Sequence, residues 1–314
     1  MNVLLVGAGG MSADYAKVLS AMNVPFEAVC RSEIKAKEFS ARHNVTCLPG
    51  GVERYLEQNE TPSHAIVAVG VDGLDQVTRY LISRGVKNIL VEKPAALYQS
   101  EIDNLTALSN EKDVSIYVAY NRRYYQSVQM LVKMAEEDGG LTSLHFDFTE
   151  WSDRIAPLEK GDNVKERWVL SNSTHVIDLA FYLAGAPLEM HSHTQGKLKW
   201  HDSAARFFGS GLTDRGVAFT YRADWDAPGR WGVTAYTRNY KFDLCPLEEL
   251  YVTDRNKVVP RKIDLDNNVD IDFKPGLYLQ VEVFLTKPKN SNLCSLTDHQ
   301  AVFSQYADIA GYRG

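Results

Sequence analysis

Short apolar runs and amphipathic stretches alternate along the first 120 residues of the chain. Apolar runs typical of buried strands occupy residues 3–6, 26–30, 65–69, 88–91 and 115–119. Between them, apolar residues recur with the period of a helix over residues 13–22, 52–58, 74–84 and 100–110. This alternation predicts a doubly wound parallel sheet of the α/β class, in which sites lie beyond the carboxyl ends of the strands.

The pattern changes after about residue 140. Alternating apolar and polar positions predict strands over residues 144–148, 216–221 and 232–236. Helical patterns cover residues 175–184 and 298–309. We therefore predict two domains, an α/β domain over residues 1–120 and an α+β domain over residues 121–314.

A glycine-rich turn joins the first predicted strand to the first predicted helix. Gly7 suits a tight turn, and Gly9 has no side chain to keep the backbone from a pyrophosphate at the helix N-terminus. Ser12 stands where the G-x-G-x-x-G fingerprint has its third glycine, and a small residue still permits close packing of helix on strand. The predicted phosphate-binding residues are Gly7, Ala8, Gly9, Gly10, Met11 and Ser12. The α/β domain is thus predicted to be a Rossmann dinucleotide-binding domain.

The second strand ends in Arg31 and Ser32, roughly 20 residues past the glycines, where a carboxylate would bind the adenosine ribose. A guanidinium and a hydroxyl suit a ribose 2′-phosphate instead, and Lys35 and Lys37 follow on the next helix. This favours NADP over NAD. The alternative is that Arg31 is solvated and that Glu27 or a backbone group meets the ribose.

Composition narrows the class of protein. The chain has 314 residues, with 45% hydrophobic and 24% charged residues, which is typical of a globular protein with two domains. The net charge of −6 disfavours nucleic acid and anionic membranes as partners. The four cysteines are scattered, and the first apolar run leads directly into the glycines as a strand does, so we expect reduced thiols, no signal peptide and a cytoplasmic location.

Three further segments carry candidate chemistry. Glu92-Lys93-Pro94 follows the strand at 88–91, and Asn121-Arg122-Arg123-Tyr124 follows the strand at 115–119. The third segment, residues 171–178, reads Ser-Asn-Ser-Thr-His-Val-Ile-Asp. With the glycine turn, and in this order, the segments resemble the Gfo/Idh/MocA family of nicotinamide-dependent oxidoreductases.

The resemblance implies a Rossmann domain followed by an α+β domain built on a large open antiparallel sheet. It also implies a cofactor site completed by Val69, Glu92, Lys93 and Asn121, and a catalytic role for Lys93 as hydrogen-bond donor or proton relay to the substrate oxygen. His175, on one helix face with Asp178, is the second catalytic candidate, although a histidine packed on a helix is the alternative. One departure stands out, because many family dehydrogenases have Asp where this chain has Ser171.

The substrate is predicted from arginines and aromatic residues. Guanidinium groups bind carboxylates and phosphates, and aromatic rings stack on sugar faces. The candidate substrate-binding residues are Lys93, Arg122, Arg123, Trp151, Arg154, Arg167, Asn172 and His175, with Tyr124 and Trp168 as further aromatics. Surface ion pairs are the alternative role for the arginines. His191 and His193 have no evident third ligand, so no metal is predicted.

These features lead to one main hypothesis. The chain is expected to be an NAD(P)-dependent oxidoreductase acting on a sugar or nucleotide-sugar derivative. The alternatives are an imine or enone reductase of the same fold and a catalytically inactive cofactor-binding regulatory protein. A homodimer or homotetramer is expected, with Val217, Phe219 and Tyr221 as one candidate face of the open sheet.

Overall fold

The structure, a computed structural model, describes residues 2–266, 268–289 and 291–312. The chain divides into two compact units. The first unit comprises the chain up to Tyr120 together with Ile271–Ala301, and the second comprises Asn121–Asp270 together with the chain from Val302 onward.

The strands are β1 (Val3–Val6), β2 (Phe26–Cys30), β3 (Cys47–Pro49), β4 (His64–Val67), β5 (Asn88–Glu92), β6 (Ser115–Ala119), β7 (Ser143–Asp147), β8 (Pro187–Gln195), β9 (Arg206–Thr213), β10 (Ala218–Asp224), β11 (Gly232–Tyr236), β12 (Tyr240–Leu244), β13 (Tyr251–Asp254), β14 (Arg261–Lys262) and β15 (Cys294–Ser295). The α-helices are α1 (Gly10–Ala21), α2 (Glu33–His43), α3 (Gly51–Gln58), α4 (Leu74–Ser83), α5 (Gln99–Glu111), α6 (Gln126–Glu137), α7 (Ser152–Ile155), α8 (Asp162–Glu166), α9 (Thr174–Ala184), α10 (Asn268–Asp272), α11 (Leu277–Thr286) and α12 (Leu296–Ala310). Two 3₁₀ turns, Val71–Gly73 and Asn121–Tyr124, and one π-helical turn, Val169–Ser173, complete the regular structure.

The first unit is built on a sheet with the strand order β15-β6-β5-β4-β1-β2-β3. Strands β1 to β6 pair in parallel, and β15 adds antiparallel to β6 at one edge. The strands read as continuous apolar runs because both faces are covered, and every residue of β1 is buried. This arrangement confirms the predicted Rossmann-like fold class.

Residues 271–301 differ from the predicted domain division, which placed them with the second domain. Helix α11 packs against α1. Its Phe284 ring lies 5.5 Å from the ring of His64 and 6.3 Å from that of Tyr117, both on strands of the first sheet. The apolar side of α11 therefore completes the core of the first unit, a contact distant in sequence that local periodicity does not reveal.

The second unit contains a sheet with the strand order β14-β13-β12-β11-β7-β10-β9-β8. Its pairings are antiparallel except between β7 and β10. Helix α9 covers one face, where the Phe181 ring lies 5.1 Å from Phe219 and 5.7 Å from Phe146. This agrees with the predicted α+β domain and its largely antiparallel sheet.

The candidate face for self-association requires correction. Val217, Phe219 and Tyr221 are between 2% and 4% exposed, because they point to the covered side of the sheet. Their neighbours along the chain, Ala218 and Thr220, are exposed on the opposite side. The sequence pattern identifies the alternation correctly, but it does not say which side the helix covers.

Among the helices that the structure describes, none is both long enough and apolar enough to cross a membrane.

Candidate functional site

The glycine turn lies between β1 and α1. Gly7 has φ of +131°, and a Cβ there would collide with the carbonyl oxygen of Ala68 and lie 2.7 Å from Ser12 Oγ. Gly7 is therefore required by both conformation and space. The Ser12 hydroxyl is fully buried and donates to the Ala68 carbonyl oxygen at 3.2 Å, so its side chain joins α1 to the end of β4 rather than facing a ligand.

The N-terminus of α1 is open. The helix begins at Gly10, three residues before the predicted start, with Gly9 as the N-cap and no capping side chain. A Cβ on Gly9 or on Gly10 would meet no atom within 4 Å. The first N–H groups of a helix have no partner within it and carry a partial positive charge. The turn thus fits a pyrophosphate, and Lys274, whose Nζ lies 3.6 Å from an oxygen of Asp14, adds a cation beside this helix.

The end of β2 holds the predicted ribose site. Arg31 is exposed there, and Ser32 caps α2 by accepting a hydrogen bond from the Lys35 N–H at 3.3 Å. The alternative ribose partner, Glu27, accepts a hydrogen bond from the Tyr55 hydroxyl at 2.7 Å. Lys37 pairs with Glu33 at 2.9 Å. The end of β2 therefore presents one exposed guanidinium group, that of Arg31, at the predicted ribose site.

The Glu92-Lys93-Pro94 segment begins at the last residue of β5, and hydrogen bonds hold it on both sides of Lys93. The hydroxyl of Tyr15, a fully buried residue of α1, donates to Glu92 Oε1 at 2.7 Å. Burial and the Glu92 carboxylate raise the pKa of Tyr15 well above its usual value, so the hydroxyl remains a donor. On the other side, Nε2 of the buried His299 donates to the Pro94 carbonyl oxygen at 3.0 Å.

Lys93 and the glycine turn therefore share one edge of the sheet. Strand β4 separates β5 from β1, so their carboxyl ends lie about 10 Å apart, two spacings of neighbouring strands. Lys93 is partly exposed, and Val69, two residues after the end of β4, is partly exposed on the same edge. This is the edge at which doubly wound sheets bind their ligands.

The second unit contains a cleft of about 300 Å³. Four of the predicted substrate-binding residues line it, namely Arg122, Trp151, Arg154 and Asn172. Four further residues, which no motif in the sequence indicated, line it as well, namely Glu150, Arg230, Trp231 and Glu248. The aromatic candidate Trp168 also lines it. Glu150 and Arg230 lie in irregular segments after β7 and before β11, where no short motif points to them.

A carboxylate lies in this cleft, although it does not come from position 171. Ser171 is 4% exposed, and its hydroxyl lies 3.2 Å from the Val164 carbonyl oxygen, to which it donates. Glu150 Oε1 instead accepts hydrogen bonds from Asn172 Nδ2 and Ser173 Oγ, both at 2.8 Å. The π-helical turn that contains these residues is a feature often found at functional sites.

Two cation–aromatic pairs shape the cleft wall. The Arg122 guanidinium lies 4.9 Å from the ring centre of Trp231, and that of Arg230 lies 4.6 Å from Trp151. The His175 ring lies 6.1 Å from the Trp231 ring, so the predicted catalytic histidine stands next to a residue of the cleft. Stacked guanidinium groups keep their edges available for anionic or hydroxyl groups.

Arg123 and Arg167 are substrate-binding candidates that do not line this cleft. Arg123 forms two hydrogen bonds with Asp178, of 2.8 Å and 2.6 Å, and Asp178 is 1% exposed. This buried pair also explains the aspartate of the His-x-x-Asp segment. The Arg167 guanidinium lies 5.4 Å from the ring of Tyr312.

Two remaining candidates have defined surroundings. Asn121 is 3% exposed, and its Oδ1 accepts a hydrogen bond of 3.4 Å from Arg122 Nη1. His191 and His193 are exposed on β8, where the His193 ring stacks on Phe208 at 5.4 Å. Across residues 2–266, 268–289 and 291–312, no three His, Cys, Asp or Glu side chains are grouped so that they would hold a metal ion.

Comparison with known proteins places these features in context. Residues 1–120 match the family model described as the oxidoreductase family with an NAD-binding Rossmann fold, GFO_IDH_MocA. A curated relative, the uncharacterized oxidoreductase YgjR of Escherichia coli (strain K12), is 23% identical over 186 residues, which are 58% of this chain. The match spans about half of that relative, 52% of its length.

Solved structures share the fold over nearly the whole chain. The UDP-N-acetylglucosamine 3-dehydrogenase GnnA of Acidithiobacillus ferrooxidans matches with a TM-score of 0.78 and 16% identity, covering 99% of this chain and 97% of that one. Levoglucosan dehydrogenase in complex with NADH and levoglucosan matches with a TM-score of 0.78 and 17% identity, covering 98% and 96%. Residues 1–120, with their open glycine turn and anchored Glu-Lys-Pro segment, thus match the model of the Gfo/Idh/MocA family of NAD-binding Rossmann oxidoreductases, the family that the motifs resemble.

Proposed function

We propose that the protein is an NADP-preferring oxidoreductase that exchanges a hydride between the nicotinamide and a CH–OH carbon of a sugar or nucleotide-sugar derivative. The observation that carries this proposal is the position of Lys93, on a turn fixed by Tyr15 and His299 at the sheet edge that also bears the open N-terminus of α1. The sugar and nucleotide-sugar dehydrogenases of similar fold support the substrate class.

Several groups would hold the cofactor. The backbone of Gly7 to Met11 and the N-terminus of α1 would bind the pyrophosphate. Arg31 and Ser32 would bind the ribose 2′-phosphate, and the remaining candidates are Val69, Glu92, Lys93 and Asn121. When bound, the nicotinamide supplies or accepts the hydride.

The chain itself supplies binding and proton transfer. We assign Lys93 to donate a hydrogen bond to the substrate oxygen and to hold or release its proton. His175 is assigned as a second catalytic group on the substrate. Glu150, which accepts hydrogen bonds from Asn172 and Ser173, is assigned the role of the aspartate that many family dehydrogenases have at the position of Ser171.

Turnover is the experiment that tests this proposal. With NADPH and a panel of keto-sugars, we expect loss of the nicotinamide absorbance. Lys93→Met should keep the affinity for NADPH within a few-fold while turnover falls by about 10² to 10⁴, the usual contribution of a positioned acid or base. The control is Lys87→Met, since Lys87 is exposed just before β5, at its other end, and turnover should not change.

Other outcomes would decide against the assignment. Normal turnover in Lys93→Met would remove Lys93 from the catalytic site. Cofactor binding without turnover on any sugar would favour a catalytically inactive regulatory protein. Reduction of imines or enones in place of keto-sugars would favour the reductase of the same fold.

The proposal also includes the oligomeric state and the location of the protein. We expect a homodimer or homotetramer that uses the uncovered face of the second sheet. Phe208, Leu212 and Tyr236 are between 37% and 46% exposed on this face, and their burial between two copies would support the assembly. The net charge of −6 and the free cysteines of the described chain are consistent with a cytoplasmic protein that binds neither nucleic acid nor membranes.

A further inference from the structure

A tryptophan that lines the cleft of the second unit has a buried hydrogen-bond donor that the protein leaves unused. Trp168 lines the cleft and is 7% exposed. Within the described chain, its indole Nε1–H has no acceptor. A buried donor without a partner is costly, and such groups are rare in native proteins. An acceptor oxygen on a ligand would satisfy it.

The charges of the residues that line the cleft indicate the charge of a ligand that would bind there. Three arginines and two glutamates line the cleft, which leaves one formal positive charge. Neither Arg154 nor Arg230 forms an ion pair with a described residue, and Arg230 is held against the Trp151 ring. Glu150 already accepts two hydrogen bonds from the protein. The unused groups are therefore mainly donors, and an excess of one positive charge matches an anion with a single charge.

The size of the cleft limits the ligand further. Its volume of about 300 Å³ is at the lower end of the range for small-molecule sites. A nucleotide sugar is several times larger than a monosaccharide and carries two phosphate charges. Trp151, which is 50% exposed, provides a flat apolar surface of the kind that packs on a pyranose ring.

We infer that this cleft binds a monosaccharide bearing one carboxylate group, such as a uronic acid. The guanidinium groups of Arg154 and Arg230 bind the carboxylate, and Trp168 Nε1 donates to an oxygen of the sugar. This inference rests on the proposed function, because it narrows the substrate class of the same enzyme from sugars in general to sugar acids.

Calorimetric titration of the full chain, with NADPH present, tests this inference. The probes are matched pairs of one neutral hexose and its uronate, namely D-glucose and D-glucuronate, D-galactose and D-galacturonate, and D-mannose and D-mannuronate. Glucose 6-phosphate and UDP-glucose complete the panel. We expect at least one uronate to bind about tenfold or more tightly than its neutral partner, the usual effect of charge-assisted hydrogen bonds.

Variants connect the preference to the cleft. Arg154→Gln and Arg230→Gln should each reduce the preference for the uronate by about fivefold or more, with little change for the neutral hexose. Arg255→Gln is the matched control, because Arg255 is exposed on the turn after β13 and does not line the cleft. Trp168→Phe keeps an aromatic ring and removes the N–H, so it should weaken the binding of the uronate while the melting temperature shows that the fold is intact.

The outcomes separate this inference from the proposed function. A neutral hexose that binds as tightly as its uronate, or a clear preference for glucose 6-phosphate or UDP-glucose, overturns the inference, and turnover of that ligand would leave the proposed function standing. A preference for uronates that disappears in the arginine variants, without turnover of any sugar, supports the inference and contradicts the proposed function. Binding of no panel member overturns the inference.

Discussion

At the scale of single residues, the proposed preference for NADP over NAD depends on Arg31. Its guanidinium is exposed at the end of β2, whereas Lys37 on α2 is paired with Glu33. A bond between a guanidinium and a phosphate contributes about 1.5–3 kcal/mol, which exceeds what a single hydroxyl contact supplies. One such bond is therefore strong enough to produce a preference for NADPH over NADH.

Arg31→Asp is expected to weaken NADPH and to strengthen NADH, because it removes a phosphate partner and supplies an acceptor for the ribose hydroxyl. Fluorescence titration with both cofactors measures the two affinities. Arg42→Asp makes the same change of charge in the last turn of α2, away from the strand end, and should leave the affinities as they are. Equal binding of NADH and NADPH by the unchanged protein would show that the assignment is wrong.

Substitutions of Glu150 and Ser171 are expected to differ in their effect on turnover. Glu150→Gln removes the carboxylate that accepts hydrogen bonds from Asn172 and Ser173, with little change in size, so turnover should fall by about tenfold to a hundredfold. Ser171→Ala removes only a hydroxyl bonded to backbone carbonyl groups, which costs about 1 kcal/mol of stability and should leave turnover unchanged. Steady-state kinetics of both variants test this difference. A larger loss of turnover in Ser171→Ala than in Glu150→Gln would assign the catalytic role to residue 171 instead.

At the scale of elements, local patterns predicted most of the first unit. The strands β2 and β6 and the strand β11 of the second unit have the predicted limits, because each is a short run with a clear apolar pattern. The three-residue strand β3 was not predicted, since Cys47-Leu48-Pro49 is too short to show a period. Helix α11 shows a helix-like apolar pattern, but its place in the first unit depends on contacts such as that of Phe284 with Tyr117.

The same limit applies to the site. Lys93 and the glycines stand in local motifs directly after strands, so the sequence predicted their place at the carboxyl edge of the sheet. Tyr15 and Glu150 act through hydrogen bonds to residues 77 and 22 positions away, and no local spacing records such pairs. Arg123 has the residue type expected for a substrate contact, but its buried partner Asp178 is 55 positions away.

The link between α1 and β5 is open to a direct test. Tyr15→Phe removes the hydroxyl that donates to buried Glu92 and should lower the free energy of unfolding by about 1–3 kcal/mol. Tyr55→Phe removes a similar bond, to the more exposed Glu27, and should cost about 0.5–1.5 kcal/mol. Urea denaturation of both variants gives the comparison. If Tyr15→Phe costs less than Tyr55→Phe, the buried bond does not fix the turn that carries Lys93.

At the scale of the whole molecule, the expected assembly is based on the uncovered face of the second sheet. Helix α9 covers one face, and the other exposes Phe208 to 46% and Leu212 to 37% on β9. Exposed apolar residues that lie on one face mark interaction surfaces, and closed twofold assemblies are the commonest way to bury them. An isologous interface here would place the same strands of two copies against each other.

Phe208→Asp is therefore expected to convert the assembly to a monomer, because it places a charge at the centre of an apolar contact in both copies at once. Light scattering at micromolar concentration measures the mass of the unchanged protein and of the variant. Val259→Asp is the matched control, since Val259 is 77% exposed in the segment between β13 and β14 and lies outside this face. The unchanged protein should have at least twice the monomer mass, and so should Val259→Asp. A monomer mass for the unchanged protein would exclude the assembly, whereas an assembly that persists in Phe208→Asp would place the interface on another surface.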